Sequence, residues 1–169
     1  MSNKDKRKGE YLLKKGCVLA DTSNQTKNFD EKSILGVASK KGINITIMIE
    51  ASKKEEISKL LEKNKKLKPN IPEIIQSVKL FYALNSIIDT IPAIYICADG
   101  LDRGKLKHYL QRFLNNKFDN NKINIMRSLK KIFGKKNIAH NLALKVKQKI
   151  ITPSLKLDKS HFKKLKLIE

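Results

Sequence analysis

Cysteine, histidine and arginine are all scarce in this chain, and each scarcity closes off a kind of chemistry. There are 2 Cys in 169 residues, Cys17 and Cys97, both in apolar, strand-like surroundings. Such thiols are expected as small buried side chains in a reducing cytosol, not as a disulfide. The 3 His, at positions 108, 140 and 161, show no paired spacing with cysteines or acids, so a structural zinc site has no support. Arginine is confined to Arg7, Arg103, Arg112 and Arg127. With so few guanidinium forks, base-specific readout is not indicated. No apolar run follows Met1, and the longest apolar stretch, 91–98, falls far short of a membrane span. The expectation is a cytoplasmic chain without a membrane segment.

Acids are scarce too, and that absence is uneven. The chain has 37 Lys plus Arg against 16 Asp plus Glu, a net charge of +21. An excess of this size favours a polyanionic partner, nucleic acid first. Lys, Asn and Ile crowd the whole sequence, as AT-rich coding would make them, and such a bias alone spreads lysine evenly. The observed distribution is not even. Residues 103–169 hold 19 basic residues against Asp119, Asp158 and Glu169, a net +16, which leaves about +5 for the first 102. A carboxylate-bearing half followed by a basic half suits a site beside a phosphate-binding platform.

The length fits one domain, 1–169. A helix is predicted over 4–15, stopped by Gly16, then a short strand over 17–20 and a polar loop over 21–28. Residues 33–39 and 43–50 read as a hairpin around Gly42. Helical spacing follows over 54–66, and a longer helix opens at Pro72 with Ile74, Ile75, Val78, Phe81, Tyr82 and Ile88 as its stripe. Residues 91–98 read as a buried strand. Helices are then predicted over 103–114, 123–133 and 138–149, with a loop over 115–124. The tail after Pro153 has no assignable pattern. This order implies an α/β fold: a small central mixed sheet with a hairpin, flanked by helices, and a helical C-terminal part.

Glu10 on the first helix, the hairpin strand from Ser33, and Ile47-Met-Ile-Glu50-Ala-Ser-Lys53 together resemble the restriction-endonuclease-like, or PD-(D/E)xK, nuclease superfamily, with resolvases and repair nucleases most similar in layout. The resemblance covers the first hundred or so residues. It implies a nuclease core over 1–102 and a basic helical extension over 103–169. It also implies Mg2+ or Mn2+ held by Glu50 with Glu31 or Asp30, Lys53 beside the scissile phosphate, Glu10 completing the shell through water, DNA as substrate and a homodimer as the working form. If the hairpin turn has two residues, Lys40 faces Ile43 and Ser33 faces Glu50, so that residues 31, 33, 50 and 52 share one face. Asp30 and Lys53 then need a bulge to join them. Serine occupies both positions, 33 and 52, where the family places its aspartate and lysine, which leaves a catalytically degenerate nucleic-acid-binding protein as an alternative.

A second resemblance is to ribonuclease H-like nucleases, on the carboxylate order Asp21 after one strand, Glu73 at a helix start and Asp99 after a central strand, with Asp158 as a fourth acid. Each has an ordinary explanation as well. Glu73 sits in a first helical turn, where the helix dipole favours an acid, and Asp99-Gly100 is a common turn pair. Phosphate contact is expected from Arg103, Lys105, Lys107 and Arg112 on one helix, from Arg127, Lys130 and Lys131 on the next, and from Lys135 and Lys136 beyond.

Overall fold

The computed structural model describes residues 3–23, 28–134 and 137–168. Its elements in order are α1 (Asn3–Lys14), β1 (Val18–Ser23), β2 (Ser33–Ala38), β3 (Asn44–Ile49), α2 (Ala51–Glu62), α3 (Ile71–Leu84), β4 (Ile94–Cys97), α4 (Arg103–Leu114), β5 (Ile123–Met126), α5 (Lys130–Phe133), α6 (Ile138–Lys147), β6 (Leu155–Lys156) and α7 (Lys159–Lys164). The strands form one mixed sheet in the order β5-β4-β1-β2-β3-β6. β1, β2 and β3 run antiparallel in succession, whereas β4 lies parallel to β1, β5 to β4 and β6 to β3. The α/β expectation therefore holds.

Strand alternation divides the core between two helical layers. Val18, Ala20, Leu35, Val37, Ile47, Ile49, Ile94 and Ile96 point to one face, where α2, α3, α4 and α7 bury them under Ile57, Ile74, Val78, Leu110 and Phe162. Leu19, Ala38 and Cys97 point to the other, under Leu129 and Ala139, and Ile34 and Met48 meet Ala143 and Val146 there. With both faces covered, β1 and β2 are buried at every position. That is why residues 34–38 carry apolar side chains on both faces instead of alternating with polar ones.

The hairpin differs from its expected register by one residue. Ser33 lies opposite Ile49, and Ala38 opposite Asn44. Ser39 accepts no two-residue turn: its N–H donates to the Ile43 carbonyl at 2.9 Å, leaving Lys40, Lys41 and Gly42 as a three-residue loop. Gly42 takes the left-handed backbone angle, φ 98°, at the last loop position, where three-residue hairpins need it. A one-residue slip exchanges the faces. Ser33 thus joins Ile49 on the α3 side, and Glu50 passes beyond the ladder to precede α2.

Residues 103–169 do more than extend the core with helices. They supply β5 and β6, one at each edge of the sheet, and α6, which covers β1 and β2. The segment 123–133, predicted as one helix, is a strand to Met126 followed by the short α5. α4 runs over the predicted residues, Arg103–Leu114, and Asp102 caps it by accepting from the Lys105 N–H at 3.0 Å.

Candidate functional site

β1 and β4 are neighbouring parallel strands whose chains leave in opposite directions. β1 returns through β2 on one side, and β4 continues through α4 to β5 on the other. The crevice beyond the C-terminal ends of two such strands is where open α/β sheets place their ligands. Asp21 lies at that end of β1, and Asp99 follows β4 by two residues.

Three short contacts fix these acids. The Thr22 hydroxyl donates to Asp99 Oδ2 at 3.0 Å and so ties the turn after β4 to the end of β1, on the α3 side, while Asp21 beside it points to the α6 side. Asp21 Oδ1 accepts from the Thr22 N–H at 2.9 Å, and its Oδ2 accepts from Asn137 Nδ2 at 2.8 Å. His140 Nδ1 stands 3.8 Å from the same Oδ2, beyond hydrogen-bond reach, with its side chain 31% exposed. Each Asp21 oxygen keeps one lone pair, and Asp21 itself is buried. The Cys97 thiol registers both acids: burial first, then the Asp21 charge, with Asp99 adding to it, pushes its pKa up to about 12.

The helix behind Asp21 is set by its own sequence. Asn137 is the N-cap of α6, its Oδ1 accepting from the His140 N–H at 2.9 Å, while its amide nitrogen reaches Asp21. One side chain therefore aims the positive end of α6 at a carboxylate. Gly36 on β2 makes this approach feasible, because a Cβ there would lie 2.2 Å from the Ala139 carbonyl oxygen. On the Asp99 side the turn is unusual. Asp99 and Gly100 both adopt positive φ, 48° and 77°, a left-handed turn that aspartate and glycine accept more readily than other residues. Glu73 clamps the turn from α3, its Oε1 accepting from the Asp102 N–H at 3.1 Å.

Two buried lysines complete this end of the sheet. Lys79 of α3 donates from Nζ to Ser33 Oγ at 2.5 Å and is fully enclosed. Burial, helped by the Lys54 charge and opposed by Asp99, lowers its pKa from the ordinary 10.5 to about 7. Lys54 of α2 donates to the Asn28 and Glu31 carbonyl oxygens and so ties down the loop before β2. Burial is the larger influence on Lys54 and lowers its pKa, while Glu31 and Asp30 raise it.

The hairpin residues are arranged otherwise than the two-residue register required. Glu50 is exposed, precedes α2 without a side-chain capping bond, and faces no β2 residue across the ladder. Asp30 and Glu31 are exposed near the Lys54 ammonium. Lys53, expected beside a phosphate, is on the surface in an ion pair with Glu56 at 3.3 Å. Glu10 is exposed on α1. Asp158 lies past β6 at the opposite edge and caps α7, with Ser160 and His161 holding its pKa down to about 2. Of the basic residues, Arg103, Lys105, Lys107, Arg112, Arg127, Lys130 and Lys131 are exposed, and Lys135 and Lys136 lie outside the described residues.

Sequence reasoning reached Asp21, Glu73 and Asp99 but not Thr22, Asn137, His140, Lys54 or Lys79. Two signals were available. Asn137 is a capping residue immediately before a periodic helix, and Lys79 falls four residues after Ile75 on an otherwise apolar stripe.

Compared with protein-family models, curated proteins and solved structures, the chain matches none.

Proposed function

We propose that this chain is a metal-assisted nuclease whose centre is the Asp21 and Asp99 pair, an arrangement closer to the ribonuclease H-like resemblance than to a hairpin centre at Glu50. The observation that carries the reading is that Asp21 and Asp99 stand at the same end of the neighbouring parallel strands β1 and β4, close enough that the Cys97 thiol between them feels both charges. The strong positive charge supports a phosphodiester substrate, DNA in the first instance.

A hard divalent cation fits the donors. Among the described residues no group of three or more His, Cys, Asp or Glu stands ready to hold a metal. Mg2+, however, commonly takes only one or two carboxylates and leaves its remaining positions to water and substrate phosphate. Asp21 and Asp99 would hold it, and when bound it would polarise the phosphate and acidify an attacking water. The chain's own residues do the positioning. Asn137 and the Thr22 N–H fix the orientation of Asp21, Thr22 and the Glu73-clamped turn fix Asp99, and the half-exposed His140 imidazole stands beside Asp21 to pass a proton to or from solvent.

The test is cleavage of branched, duplex and single-stranded substrates with and without Mg2+ or Mn2+. Asp21→Asn and Asp99→Asn are each expected to lower the rate by at least about 100-fold, with Glu50→Gln close to wild type. Cutting that persists in both aspartate variants, or that vanishes with Glu50→Gln, refutes this centre. The lack of a three-ligand group among the described residues favours a second reading, a nucleic-acid-binding protein that does not cut. It predicts salt-sensitive binding with no metal-stimulated cleavage in the wild type.

A further inference from the structure

From the open edge of β5, the geometry points to a track for single-stranded nucleic acid that leads to the Asp99 turn, an inference that builds on the proposed phosphodiester site. A groove of about 750 Å³ wraps this edge, with Ile125 and Met126 of β5 and Tyr95 of β4 in its lining. Lys8 of α1 stands on one side, and Arg103 and Lys107 of α4 on the other. A smaller hollow of about 280 Å³ continues it, sharing Arg103 and Gly104 with the groove and adding Leu101, Asp102 and Arg127. Leu101 is only two residues past Asp99. The two hollows share a wall at Arg103 and Gly104, and the second ends beside the turn that carries Asp99.

The lining selects the form of the partner. Cations on both rims match a sugar-phosphate backbone, and the half-buried Ile125, Met126 and Tyr95, whose ring is braced edge-on by Phe133, leave apolar surface in the groove for unpaired bases. Paired bases are stacked inside a duplex and cannot reach that surface, whereas an unpaired strand presents its bases to the groove. The edge itself is short. β5 has 4 residues, and β4 occupies its other side. This path also sorts the basic residues. Lys8, Arg103, Lys107 and Arg127 border it, while Lys63, Lys65 and Lys66 line a separate hollow beside the C-terminal tail.

The experiment measures anisotropy of a labelled, mixed-sequence single strand, as DNA and as RNA, and of the corresponding duplex, over a salt series in EDTA. The proteins are the wild type, a groove variant (Arg103→Ala, Lys107→Ala, Arg127→Ala) and a control of equal charge (Lys63→Ala, Lys65→Ala, Lys66→Ala). Three lost phosphate contacts on a single strand should reduce the slope of log affinity against log salt by about 2, which is about a 100-fold loss at 0.1 M salt taking 1 M as reference. The control should bind as the wild type does, and the duplex more weakly than the single strand. Equal losses in both variants, or a duplex bound as tightly as the single strand, overturn the track. Binding is read without metal, so a track that binds as predicted stands even if no cleavage is found. Conversely, metal-dependent cleavage of single strands at an unchanged rate in the groove variant overturns the track and leaves the acid centre intact.

Discussion

Lys79 gives the sharpest quantitative expectation. Its ammonium is fully enclosed, and its pKa in the folded chain is about 7 against an ordinary 10.5. Between these values the unfolded chain binds a proton that the folded chain does not, so stability must rise with pH. The slope approaches about 1.4 kcal/mol per pH unit for one proton. From pH 7.5 to 8.5, with Lys79 already mostly neutral in the folded chain, this group contributes about 1.2 kcal/mol. The two buried cysteines act in the opposite sense, because burial raises their folded pKa values. Both proteins in the comparison carry those cysteines, so the difference between them isolates Lys79. Urea unfolding at pH 7.5 and 8.5, extrapolated linearly to water, should show the rise in the wild type and about 1.2 kcal/mol less of it in Lys79→Met. Absolute stability is a poorer measure, since the methionine removes the charge while leaving the Ser33 hydroxyl without its donor. An identical rise in the two proteins would show that the folded chain keeps Lys79 charged, and the reasoning would fail.

Other expectations follow from single contacts. Gly36→Ala forces α6 off β2 by about 1 Å to relieve the clash with the Ala139 carbonyl, and should lower stability by about 1–3 kcal/mol in urea unfolding. Asn137→Ala removes a helix cap and the donor to Asp21 together. It should cost about 1–2 kcal/mol and lower cleavage as well, whereas Lys63→Ala on the far surface should change neither. Thr22→Val keeps the shape but removes the buried donor to Asp99; it should lower stability by about 1–3 kcal/mol in urea unfolding and reduce metal-dependent cleavage by about 10- to 100-fold. Equal activity in Thr22→Val would mean that the Thr22 hold on Asp99 is incidental.

The parts of the fold governed by local chemistry were legible in the sequence. α4 has a capping aspartate and a clean 3.6-residue period, and its limits were readable to the residue. β5 was not, because a strand of 4 residues carries almost no period. Ile123, Met126 and Leu129 also happen to fall at helical spacing with the Ile132 that follows. The hairpin was recognisable, but its register rested on whether Gly42 is the second or third loop residue. That one-residue choice decided which acids appeared to share a face. Asp21, Glu73 and Asp99 were visible as an ordered trio of acids. Their supports were not, since Thr22 meets Asp99 across 77 residues and Lys79 meets Ser33 across 46. No local pattern encodes such encounters.

The side chain that orients Asp21 is separated from it by 116 residues of chain. During synthesis, β1 and β4 can emerge and pair well before Asn137 leaves the ribosome, so both acids are present while the brace on the first is still missing. Asp21 gains its brace only when the last third of the chain closes over the sheet.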